Sequence, residues 1–176
     1  MRKLLLIIVF ISSFIIGKAQ QTTNRIPCAD PVYRQFDFWV GEWEAFGPKG
    51  NKAGDSKISI ILDSCVILEE WTSTAVVNGF RYSGKSFNTY NASTRQWQQT
   101  WIDNASGSTE FLRGEASGGK IIFYADKVIG KDGKNYIRRL TFTKLSDDKV
   151  RQFGEKSLDN GKTWITEYDL EYRRRK

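Results

Sequence analysis

From residue 41 onward, runs of β-branched and aromatic residues alternate with short clusters of Gly, Asn, Asp and Pro. Such runs predict strands, and such clusters predict turns. The predicted strands fall at 41–47, 55–62, 65–77, 80–90, 95–103, 107–116, 120–129, 135–145, 149–158 and 162–173. The breaks include Gly47-Pro48-Lys49-Gly50, Asn78-Gly79, Asn91-Ala92-Ser93, Gly118-Gly119, Asp132-Gly133, Asp147-Asp148 and Asn160-Gly161. Asn-Gly and Asp-Gly supply the positive φ that tight hairpin turns require. Connections this short join antiparallel neighbours. The expected fold is all-β: an antiparallel up-and-down meander of about ten strands, closed so that no edge stays exposed.

Ahead of the strands, Asp30-Pro31 reads as a helix N-cap followed by proline at the first helical position. Val32, Tyr33, Phe36 and Trp39 follow at three- to four-residue spacing. A short helix with one apolar face, lying on one end of the barrel, is expected. Further back, Met1-Arg2-Lys3 is basic, Leu4 to Ile16 is an apolar run, and Gly17-Lys18-Ala19 carries small residues. This is the pattern of a secretory signal cleaved after Ala19, leaving a single domain over 20–176. The apolar run is shorter than the roughly 20 residues of a spanning helix, so no membrane span is expected. The expected location is the periplasm or the exterior, and the expected state is a monomer.

Composition narrows the chemistry. The chain has 27 Lys+Arg against 20 Asp+Glu; without Arg2, Lys3 and Lys18 the balance is 24 against 20, or +4. That favours anionic small molecules weakly, and no basic helix or motif points to nucleic acid. The tail Arg173-Arg174-Arg175-Lys176 reads as a solvated end. The pair Cys28 and Cys65 predicts one disulfide in an exported chain, pinning the N-terminal segment to an early strand. There is no histidine. Ser-His-Asp and Cys-His machinery is excluded, and neither a cofactor nor a metal site is expected. Ser157 to Trp164 matches Ser-x-Asp-x-Gly-x-Thr-Trp, the Asp-box, which is read here as a device that stabilises a hairpin turn.

Strand residues alternate between faces. The faces Tyr82-Gly84-Ser86-Asn88-Tyr90 and Trp97-Gln99-Trp101-Asp103 mix aromatics with amides and hydroxyls. Cys65-Ile67-Glu69-Trp71 carries one carboxyl among apolar residues. Arg139-Thr141-Thr143 and Arg151-Phe153-Glu155 add guanidinium groups. A dry core would not hold such mixtures, whereas a ligand pocket would. Glu69 is expected either as a general base or as the buried partner of Arg139 or Arg151.

Phe36-Asp37-Phe38-Trp39-Val40-Gly41-Glu42-Trp43 resembles the opening of a family of exported bacterial proteins without an established activity. Gly84-Lys85-Ser86, Trp97 to Trp101, Arg139 to Thr143 and Gly161 to Trp164 resemble that family too. Gly41-x-Trp43 is similar to the signature of the calycins, the group of lipocalins and fatty-acid-binding proteins. The resemblance implies a lipocalin-like barrel in which a basic residue near the last strand, Arg173, packs across Trp43. The chain departs from haem-holding nitrobindin-like barrels in lacking histidine. It departs from fatty-acid-binding proteins in having Arg151-Gln152-Phe153 where they have Arg-x-Tyr.

Three functions compete at this point. One is binding of a small polar ligand, anionic and carbohydrate-derived (a uronic-acid or sulfated oligosaccharide), by Trp43, Ser86, Asn88, Trp97, Gln99, Trp101, Arg139 and Arg151. The second is elimination on a uronate. Arg139 or Arg151 would neutralise the carboxylate, Glu69 or Tyr82 would move the proton, and Lys85 would assist. The third is an envelope accessory without a ligand.

Overall fold

The computed structural model describes residues 27–105, 107–130 and 133–176. The predicted signal segment lies outside the described residues. Ten strands form one closed antiparallel barrel. They are β1 Gly41–Phe46, β2 Lys52–Ile61, β3 Val66–Val77, β4 Phe80–Asn91, β5 Gln96–Asp103, β6 Ser108–Ser117, β7 Lys120–Ile129, β8 Asn135–Ser146, β9 Lys149–Ser157 and β10 Ile165–Arg174. Each strand pairs with its neighbours in sequence, and β1 closes the ring on β10. The meander read from the turn signals is therefore the fold.

The N-terminal segment is not one helix. Pro31–Arg34 and Asp37–Trp39 are two short 3-10 turns, and Asp30 makes no side-chain capping bond. In a 3-10 turn residues three apart eclipse. Phe36 and Trp39 therefore fall on one side, with ring centroids 5.1 Å apart. Both are fully buried. They meet Trp97, Phe123, Phe142 and Tyr172 from the barrel interior. Three further ties hold this plug. Cys28 and Cys65 form the predicted disulfide, Arg34 bonds the Ser64 carbonyl, and Trp97 Nε1 donates to Gln35 Oε1 at 3.1 Å. The plug thus closes the end of the barrel that carries the 62–65 and 91–95 turns.

The basic residue over Trp43 is Arg174, not Arg173. Its guanidinium lies 4.2 Å from the Trp43 ring centroid and donates to the Val40 carbonyl. Alternation explains the correction. Tyr172 points inward, so Arg173 points outward and stacks on Phe46 instead. Gly41 has φ +139°, and a Cβ there would stand 2.2 Å from Arg174 Nη1. The basic tail is also not a free end, since Arg175 donates to Asp55 at 2.7 Å.

The Asp-box is a turn device. Asp159 accepts from Ser157 Oγ, Thr163 N and Thr163 Oγ1, and Gly161 N donates to Ser157 Oγ. Those donors hold the Asp159 carboxyl down to about 2. Asn160 and Gly161 take positive φ at the tip.

Candidate functional site

The half of the barrel away from the plug holds a cavity of about 480 Å³. Its wall is aromatic: Trp71 on β3, Tyr82 on β4, Trp101 on β5, Phe111 on β6, and Tyr168 and Tyr172 on β10. Glycines keep it open. A Cβ on Gly84 would sit 2.3 Å from the Trp101 ring, one on Gly54 2.5 Å from Trp71, and one on Gly154 2.4 Å from Tyr168. Each ring therefore lies flat against a strand that has no side chain there. Gly84→Ala will push the Trp101 indole into the cavity. It should cost about 2 kcal/mol of stability, as overpacking does, and weaken any cavity ligand. Urea denaturation read beside a ligand titration checks both effects.

A polar floor lies among the rings. Glu69 is 2% exposed. It accepts from Ser56 Oγ at 3.0 Å, Ser86 Oγ at 2.9 Å and Tyr172 Oη at 3.1 Å. The chain of bonds continues outward. Gln99 Nε2 donates to Asn88 Oδ1 at 2.7 Å, and Asn88 Nδ2 donates to Ser86 Oγ at 3.0 Å. On the other side Tyr172 Oη lies 2.7 Å from Gln152 Oε1. Tyr172 has one proton for two acceptors. Burial lifts Glu69 to about 7, against the pull of its three hydroxyl donors.

At the mouth, Asp103 accepts from Tyr82 Oη, Trp101 Nε1, Ala105 N and Gly107 N. Burial raises its carboxyl, but those donors prevail and hold it below its ordinary value. Burial, and then the bond to Asp103, push Tyr82 up to about 12. Arg138 on β8 gives two bonds to Glu167, at 2.7 and 3.0 Å, and one to Thr109.

The expected site residues divide into three groups. Glu69, Tyr82, Gln99 and Trp101 line the cavity. Ser86 and Asn88 stand behind it as supports for Glu69, while Trp43 and Trp97 belong to the plug end of the core. Arg151 and Lys85 face outward. Arg139 borders the cavity, yet its guanidinium is bonded to Glu155 and stacked on Trp164. Arg151 is paired with Asp169, and Lys85 with Glu70. Neither arginine is the partner of Glu69, which corrects that expectation. The inward face of β8 is Arg138-Leu140-Phe142, and that of β9 is Val150-Gln152-Gly154.

Sequence reasoning missed Arg138, Gln152, Glu167 and Tyr168. Alternation with the apolar pair Leu140 and Phe142 was the available signal for Arg138. No protein-family model matches the chain, and no curated protein matches its sequence.

Proposed function

We propose that this protein is an exported, calycin-like barrel that holds one small amphipathic molecule in the cavity away from the plug. The observation that carries the reading is a cavity of about 480 Å³ with aromatic walls and a hydrogen-bonded polar floor. Pockets for small molecules commonly span roughly 300–1,000 Å³ and combine apolar walls with a few placed polar groups. The Gly41, Trp43 and Arg174 arrangement supports the calycin reading, and the disulfide supports folding in an oxidising compartment.

Trp71, Trp101 and Tyr82 offer ring faces to the C–H faces of a sugar or to an aromatic body, while Gln99 and Gln152 offer hydrogen bonds. An anionic head group draws less support. Arg138 is already engaged by Glu167 and Arg139 by Glu155. The elimination alternative loses support as well, because burial and the bond to Asp103 keep Tyr82 protonated and Lys85 sits on the outer wall.

The test is a tryptophan-fluorescence titration with phenyl glucoside, phenyl glucuronide and a long-chain fatty acid. Phenyl glucoside should change the emission saturably, and Trp101→Ala should weaken its binding about tenfold, in line with loss of an aromatic stacking partner. Binding of the fatty acid alone, or no saturable response to any of the three, would reject the reading.

A further inference from the structure

We infer that the cavity selects a small organic cation, with the Glu69 carboxylate as its counter-charge and the faces of Trp71, Tyr172 and Trp101 around its ammonium group. This rests on the cavity reading above and adds the charge of the occupant.

The lining supplies three carboxyls, Glu69, Asp103 and Glu167, against two guanidinium groups, Arg138 and Arg139, and the second of these is paired with Glu155 from outside the lining. Two of those three are already satisfied. Glu167 is bonded in bidentate fashion to Arg138. Asp103 accepts four donors from the mouth. Glu69 differs from both. Its contacts are the hydroxyls of Ser56, Ser86 and Tyr172, and among the described residues no lysine or arginine pairs with it.

A buried carboxylate without a cation is expensive, and a charge brought by a ligand removes that penalty. The surrounding groups suit such a ligand. Glu69 and Trp71 share the inward face of β3, two residues apart. The Trp71 and Tyr172 rings lie 6.2 Å apart, and Tyr172 also reaches the Glu69 carboxyl through its hydroxyl. Ring faces attract ammonium groups and do so more strongly in a desolvated site. The elements against Glu69 bring Tyr82, Asp103, Arg138, Glu167, Tyr168 and Tyr172 into the same cavity. Asp103 lies below its ordinary value, while Tyr82 and Tyr172 lie above theirs, as does Arg138. These four hold their charge states between pH 6 and 8, where Glu69 changes.

The test uses 2-phenylethylamine, 2-phenylethanol and phenylacetate, three compounds of one skeleton and three charges, measured by calorimetry on the full protein. The amine should bind at least about tenfold tighter than the alcohol, and phenylacetate weakest. Amine affinity should rise about tenfold from pH 6 to 8 as Glu69 ionises, while alcohol affinity stays flat. In Glu69→Gln the amine-to-alcohol ratio should fall toward one. Glu70→Gln, on the outer wall, should leave it unchanged. The wild-type pH profile needs no variant, so the test stands even where Glu69→Gln folds poorly. Equal binding of amine and alcohol would overturn the cation assignment while leaving the cavity reading intact. No binding by any of the three, together with no response to phenyl glucoside, would overturn both.

Discussion

Trp39→Ala will make the barrel about 4 kcal/mol easier to unfold, the loss typical of deleting a buried tryptophan. Trp39 is fully buried at the centre of the plug. It stacks on Phe36, meets Phe142 at 4.5 Å and Tyr172 at 5.8 Å, and its carbonyl takes the Trp43 indole N–H at 2.8 Å. The disulfide and the Ser64 contact keep the plug tethered, so the surroundings cannot collapse fully into the gap. Trp39→Phe is the informative control. It keeps a ring in place and removes an indole N–H that has no hydrogen-bond partner. It leaves a smaller void than alanine does and should therefore cost about half as much, on the order of 2 kcal/mol. Urea denaturation followed by circular dichroism measures both variants. Equal losses for the two would mean that a phenyl ring cannot take the place of the indole, so that the plug depends on the full shape of Trp39.

The plug was legible as a unit because Phe36, Trp39 and Trp43 sit in one short segment. Its conformation was not legible, because apolar residues spaced by three fit an α-helix and a 3-10 turn alike. The barrel itself was legible because turns are local events. Asn78-Gly79 and Asn160-Gly161 announce positive φ without reference to the rest of the chain.

The cavity was read in part. On β4 and β5 the mixed aromatic and polar faces do point inward, and Ser86 and Asn88 are fully buried. On β8 and β9 the same criterion picked the outer faces. The inner face of β9 offers Gln152 and Gly154, which look like surface residues until Tyr168 is seen lying against Gly154. The outer face offers Phe153, which looks like core until Arg151 is seen stacked on it at 4.4 Å. Pairwise partners settle such cases, and they are remote in sequence. Glu69 bonds residues 13, 17 and 103 positions away. Nothing within strand β3 foretells that its carboxyl meets hydroxyls in place of guanidinium groups.

That carboxyl makes stability fall as pH rises. Glu69 takes up its proton near 4.5 in the unfolded chain and near 7 in the fold, because burial penalises the anion. Between those values the folded protein holds the proton and the unfolded chain does not. Stability therefore declines with each unit of pH through that interval and levels off above it. The stabilisation is complete below about pH 4.5 and has been lost once pH passes the folded value. At about 1.4 kcal/mol per unit, the decline from this group is on the order of 3 kcal/mol. Glu69→Gln cannot ionise, and the hydroxyls of Ser56, Ser86 and Tyr172 can rotate to serve an amide. The variant should thus approach the wild type in stability near pH 5 and exceed it by up to about 3 kcal/mol at pH 8. Urea midpoints at pH 5, 6, 7 and 8 for both proteins give the curve. If the two ran parallel across that range, Glu69 would be ionised throughout in the fold, and the hydroxyl network would be holding an anion unaided.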